Sequence, residues 1–278
     1  LAWSIVILSV FVVVLGLFLW SWLRGLMNQP VVASDIPELK THKVLKFQSP
    51  GEEAVVALVK SALESRESPQ AADYFHMGEA GPGELVGFLS KMIQDDGPVI
   101  GFQWLGGRYA NGQLIENVLI TCERDGKPRE RVAMLVPDDQ GVWKIDFEAF
   151  ARMVRPSWEL LLGESGGRGL VRVFVRGDNY FNGPFRDDAE WSCYAMASPD
   201  IDQMLLGYCR KGSPQDEAMM LMLLRNAKEG QATDMESVMR ATLLVERPQG
   251  ADARQFEITR VLAEDWIVSD NPYDGERE

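Results

Sequence analysis

Two histidines and three cysteines are all that 278 residues supply of the side chains that most often ligate metals or act as nucleophiles. So small a stock leaves little material for a His-rich metal centre or a Ser-His-Asp triad. Cys122, Cys193 and Cys209 contain no Cys-x-x-Cys pair, which removes zinc ribbons and dithiol redox motifs. They do not make a disulfide framework in a chain this long. Cys193 and Cys209 lie in neighbouring segments and could be bridged in an oxidising compartment, but burial as small hydrophobes is the preferred reading. No metal and no cofactor is implied.

Positive charge is also scarce. Lys and Arg number 28 against 41 Asp and Glu, a formal net charge of -13. A body of that sign is repelled by phosphate backbones and anionic lipid, so nucleic acid is not an expected partner. Phosphate loops are missing as well: Gly163-Glu164-Ser165-Gly166-Gly167-Arg168-Gly169 lacks the Lys-Ser/Thr pair and leads from a helix into a strand, the reverse of what that motif needs. Asp178, Asn182 and Gly183 sketch a calcium loop, but Ala189 stands where the bidentate Glu belongs.

Charge is absent altogether from Leu1 to Leu23, and Arg24 ends the run. A helix needs roughly 20 apolar residues to cross the hydrocarbon core, so this segment reads as one transmembrane helix contacting the lipid bilayer. Trp3, Trp20 and Trp22 suit its interfacial ends. The competing reading, a signal peptide cleaved after Ala33, asks for a shorter apolar core. One span before one large body is most simply a single-pass anchor with the body outside the cytoplasm. Residues 24–48 then form a juxtamembrane linker broken by Pro30 and Pro37.

Beyond the linker, Ser49-Pro50-Gly51-Glu52 carries a capping box and a proline suited to the first helical turn. Val55, Leu58, Val59, Ala62 and Leu63 follow at helical spacing. Ser68-Pro69 opens a short second helix through Tyr74, and Glu84 to Gln94 supplies a third. After Gly97-Pro98 the period changes to that of strands: Val99 to Leu105, Leu114 to Glu123, Arg129 to Val136 and Val142 to Phe147. Asn111-Gly112, Asp125-Gly126 and Asp138 to Gly141 provide the turns between antiparallel neighbours. Three helices followed by a four-stranded meander is an α+β order.

That element order, the small first helix pair and the closing segment VPDDQGVWKIDFEAF make residues 49–155 similar to the cone-shaped nuclear transport factor two-like (SnoaL-like, cystatin-like) superfamily. The resemblance covers roughly 100 residues from Ser49 to about Phe150 and implies a curved sheet wrapped around helices with a pocket between them. It does not choose among isomerases, dehydratases, hydrolases, binding modules and assembly partners.

Residues 156–270 read as a second α+β domain. A short helix spans Pro156 to Leu162, and strands at Leu170 to Arg176 and Glu190 to Ala197 flank a long hairpin loop. Ser213-Pro214-Gln215-Asp216 caps a helix whose Ala218 to Leu224 are apolar all round. Strands at Arg240 to Glu246 and Arg254 to Val268 close the sheet. Trp266-Ile267-Val268-Ser269-Asp270 faintly echoes Trp143-Lys144-Ile145-Asp146, which suggests an internal duplication, but the differing element order favours a separate second domain. Residues 271–278 read as a disordered tail.

Candidate chemistry is thin. Asp73, Tyr74, His76, Trp104 and Asp146 are the plausible lining of a cone pocket, where an isomerase or dehydratase needs a carboxylate or His base and a phenol. Asp73, Tyr74, His76 and Asp146 are the candidate catalytic set, although Asp73, Tyr74 and His76, neighbours on a short helix, do not share a face. In DNYFNGPFRDD, Tyr180, Phe181, Asn182 and Phe185 are candidate binding residues, because aromatics among polar neighbours make recognition patches. Met219, Met220 and Met222 read as core rather than a copper face. The expected role is a non-catalytic binding or assembly module with a protein partner or a second copy; a small-molecule enzyme using the cone pocket is the alternative.

Overall fold

A computed structural model describes residues 47–65, 69–163, 167–228, 238–268 and 272–275. All of these belong to one compact unit. The expected membrane-spanning helix at residues 1–23 and the linker up to residue 46 lie outside the described residues. No described helix is long and apolar enough to cross a membrane, so the fold class is corrected to α+β without that element.

The first half begins with helix α1 (Glu52–Glu64), whose Val55, Val59, Ala62 and Leu63 are buried. Its N-cap is Gly51 rather than Ser49: the Ser49 hydroxyl accepts the Gly51 N–H at 3.1 Å, and Gly51 takes a positive φ of 85° to start the helix. A 3-10 turn (Pro69–Tyr74) leads to a two-residue strand β1 (Phe75–His76), then to helix α2 (Pro82–Asp96), where Glu84 accepts the Gly81 N–H at 3.2 Å. Strands β2 (Val99–Ala110), β3 (Gln113–Arg124), β4 (Lys127–Pro137) and β5 (Trp143–Asp146) make the expected meander. Asn111 and Asp125 adopt φ of 50° and 53° before their glycines, the backbone that two-residue hairpins need. The sheet order is β1-β5-β4-β3-β2, with β1 parallel to β5. Thus β2 is one edge and β1 with β5 the other.

The core of this half lies between helices and sheet. Phe75, Phe88, Phe147 and Phe150 meet at centroid separations of 5.6 to 6.1 Å, beside Leu85 and Leu89. Arg131 enters the same layer. It bonds Asp96 through Nε and Nη2 at 3.0 and 2.9 Å, reaches the Phe150 carbonyl at 2.9 Å, and lies over the Phe88 and Phe150 rings. Burial pulls its pKa down, and the Asp96 charge pulls the other way.

After helices α3 (Phe147–Phe150) and α4 (Trp158–Leu162), the second half differs from the expected open α+β sheet. Strands β6 (Arg168–Asp178), β7 (Trp191–Ala197), β8 (Leu205–Arg210), β9 (Met239–Glu246) and β10 (Gln255–Glu264) close into a barrel in the order β10-β8-β7-β6-β9. Only β8 and β10 run parallel, and helix α5 (Pro214–Lys228) connects β8 to β9. The two halves share neither strand order nor closure, which sets the duplication reading aside.

Val171, Val173, Val175, Tyr194, Met196 and Cys209 fill the barrel, and Ala218, Met219, Met222 and Leu223 of α5 pack against them. The helix is not buried on most sides as expected: Met220, Leu221 and Leu224 are exposed. Cys193 and Cys209 are free. Their strands pair Cys193 with Tyr208 and Ser192 with Cys209, so pleat alternation sends Cys193 outward and Cys209 into the barrel, on opposite faces. Part of the expected disordered tail is also held. Tyr273 and Asp274 donate backbone N–H groups to Leu262 and Val261, and the buried Asp274 carboxylate accepts the Val261 N–H at 2.7 Å.

Candidate functional site

Pleat alternation divides the residues of the first sheet between two jobs. Ile115, Met134 and Val136 face the barrel and pack with Trp266 and Ile267, whereas Val118, Ile120, Ala133 and Leu135 face the helices. Between α1 and the β2 edge lies a crevice of about 420 Å3. Glu52, Glu53, Val56, Ala57 and Lys60 form one stripe of α1, one and two turns apart, and face Phe102 and Trp104 of β2.

Behind the indole lies Glu116 of β3. It is fully buried, and its Oε2 accepts the Trp104 Nε1–H at 2.8 Å. Among the described residues its Oε1 has no hydrogen-bond partner. Cross-strand from Glu116 is Gly107, where a Cβ would stand only 2.7 Å from Oε1. The glycine therefore leaves the room that the carboxylate fills. On the α1 side, the Lys60 ammonium lies 5.5 Å from the centroid of the Phe102 ring.

Of the residues expected to line a pocket, Trp104 alone lines this crevice. Asp73 is exposed, and Tyr74 is half-buried against the aromatic core. His76 and Asp146 do meet, in register on β1 and β5 with Nδ1 and Oδ2 3.9 Å apart, but at the opposite edge of the sheet. Asp146 has structural work there, since its Oδ1 caps α3 through the Ala149 N–H at 2.8 Å. Burial raises its pKa, against the opposing pull of that N–H and of the Arg172 and His76 charges.

The aromatic loop before β7 divides likewise. Tyr180 and Asn182 are exposed and bonded to each other, whereas Phe185 is buried, stacked on Tyr208 at 4.0 Å and 6° and edge-on to Trp191 at 4.9 Å. Phe181 packs partly into the same cluster. The Tyr180 carbonyl accepts from the Tyr208 hydroxyl at 2.9 Å and the Cys193 thiol at 3.3 Å. The loop so covers the outer face of β7 and β8. Phe185 thus packs inside this cluster and is not on the surface. Burial pushes the Cys193 thiol up to about 11, which disfavours its thiolate form.

The sequence marks Glu52 only as a helix-capping residue and does not mark Glu53, Lys60, Phe102 or Glu116. The signal for Glu116 was there: in LIENVLITC it shares parity with Val118, Ile120 and Cys122, the buried face. No protein-family model, curated protein or solved structure matches the chain.

Proposed function

We propose that the chain is a non-catalytic binding or assembly module whose ligand-contact surface is the crevice between α1 and β2. The observation that carries this is how the space between sheet and helices is used. Its centre is filled by Phe75, Phe88, Phe147, Phe150 and Leu89, and what opens to solvent is a shallow edge site walled by Phe102 and Trp104. An aromatic wall with a charged rim is well suited to holding a ligand. A reaction of the isomerase or dehydratase type asks for an enclosed, dry chamber with convergent acid and base.

Native mass spectrometry of the gently purified full chain tests the proposal. A bound species is expected, and Ala57→Trp, which fills the crevice from the exposed side of α1, should release it. One observation favours the enzymatic alternative: a buried carboxylate with a free oxygen, Glu116, stands where a general base could. Conversion of the bound species to a new mass on incubation, abolished by Glu116→Gln, would replace the binding role with that one.

A further inference from the structure

We propose that two copies of the chain pair along the free edge of β2, antiparallel about a two-fold axis at Gln103, and that the crevice is half of a pocket which the pair completes. This rests on the crevice being the contact surface of an assembly module. Strand, charge and helix each point to a second copy.

β2 ends the sheet order, so among the described residues β3 is its one strand neighbour and the other row of N–H and C=O groups faces no strand. Proteins blunt such edges with short strands, prolines or charges, because an open row of donors and acceptors templates another strand. The opposite edge follows that rule: β1 is two residues long. β2 does not. Its 12 residues, VIGFQWLGGRYA, include no proline, no acidic group and the single charge of Arg108. Ile100 and Leu105 on it are 60% and 49% exposed. Register shifts at Val99/Gly101 and Trp104/Gly106 bend the strand and confine flat pairing to the run between them, where Gln103 is exposed.

Charge selects the partner. At a net charge of -13 two copies repel over most of their surfaces, and an edge without carboxylates is where they meet at least cost. A two-fold axis at Gln103 sets Phe102 of each copy opposite Trp104 of the other, a cross-strand aromatic pair on the helix side of the extended sheet.

Helix α1 supplies the third match. It packs on both β2 and β3. With strands ~4.8 Å apart, the same axis brings two α1 helices about 10 Å from one another, the spacing of packed helices. They run antiparallel, as the strands do, and the stripe that faces the crevice reads Glu52-Glu53, then Val56-Ala57, then Lys60. Turned end for end, that order complements itself. The carboxylates of one copy meet the ammonium of the other, and the small Ala57 leaves room at the centre. Each copy then closes the side of the crevice that the other leaves open, with Phe102 and Trp104 from both in the wall.

Disulfide trapping in the full chain tests the pairing. Cys122, Cys193 and Cys209 are buried and give little background. Gln103→Cys places the two introduced thiols roughly 5 Å apart across the axis, within reach of a disulfide. Tyr109→Cys, exposed on the same strand, places them about 40 Å apart. Oxidised glutathione is expected to give a covalent dimer from the first variant and to leave the second monomeric. Sedimentation velocity of wild type should show a dimer of about micromolar affinity. Gln103→Lys should weaken it about five- to tenfold, since like charges directly opposite repel. Lys60→Glu should weaken it about threefold, and adding Glu52→Lys and Glu53→Lys should restore it, because the reversed stripe again complements itself.

A chain that stays monomeric at every concentration overturns the proposal, as does a dimer that Tyr109→Cys traps as readily as Gln103→Cys or that Gln103→Lys leaves unchanged. Failure of the reversed stripe to restore affinity overturns it too. A bound species on a chain whose Gln103→Cys thiol stays free leaves the binding role of the crevice standing and removes only the pairing.

Discussion

Asp146 shows how one carboxylate can be both a cap and a cost. Its Oδ1 satisfies the Ala149 N–H at the start of α3, yet burial raises its pKa above the ordinary 3.8. The folded state therefore binds this proton more tightly than the unfolded chain does, and the electrostatic penalty is absent below the ordinary carboxyl value. The penalty grows as pH rises through the folded pKa and is constant above it. Asp146→Asn keeps an oxygen for the cap and removes the charge. It is expected to be at least as stable as wild type at pH 7 in urea titrations, and to flatten the dependence of stability on pH above about 4. Asp146→Ala should instead lose about 1 kcal/mol with the cap. His76, 3.9 Å away and exposed, makes a weak surface pair that does not alter the expected direction.

Among the elements, the turn from α2 into β2 tolerates least change. Gly97 has φ 85° and ψ -174°, backbone open essentially to glycine alone, and a Cβ there would stand 2.0 Å from the Glu123 carbonyl oxygen. Backbone cannot move aside as a flexible side chain can. Gly97→Ala should cost about 3 kcal/mol or more, read from the urea midpoint at unchanged slope. The sequence did announce this boundary, through Gly97-Pro98 and the change of period that follows. It announced most of the other elements for the same reason: α1, α2 and the strands β2 to β4 each carry their own periodicity, and their turns carry Asn-Gly and Asp-Gly. Two strands were missed. β1 is only two residues long and exists because β5 offers it a parallel edge. β8, in MLLGYCR, has no alternation to read, since Tyr208 and Cys209 are buried on opposite faces of the barrel wall. Both depend on partners distant in sequence.

At the scale of the whole molecule, the two halves meet through a joint that no local pattern encodes. Trp266 packs edge-on to Phe174 at 5.1 Å and joins Ile115, Met134 and Val136 of the first sheet. Arg172 is buried beside it, donating to the Trp266 carbonyl at 3.1 Å, the Met153 carbonyl at 2.9 Å and the Glu148 carboxylate at 2.7 Å. Arg108 and Arg225 reach Glu264, and Arg240 pairs with Asp265 at 2.7 Å. With that joint intact, calorimetry should show one transition for the described body. Arg172→Ala leaves two carbonyls and part of the Glu148 charge without a buried partner. It is expected to lose about 3 kcal/mol and to split or broaden the transition.

From the chain alone, hydrophobic period and turn chemistry determined α1, α2 and strands β2 to β5 of the first half and the α+β class of the body. Those properties are local or summed, so the order of residues suffices to read them. Tertiary structure decided the closure of the second half into a barrel, the separation of Cys193 from Cys209, the burial of Phe185 and the placing of Trp104 and Glu116 at one edge while His76 and Asp146 went to the other. Each of these depends on which strand pairs with which, and pairing is settled by contacts between segments far apart in the chain.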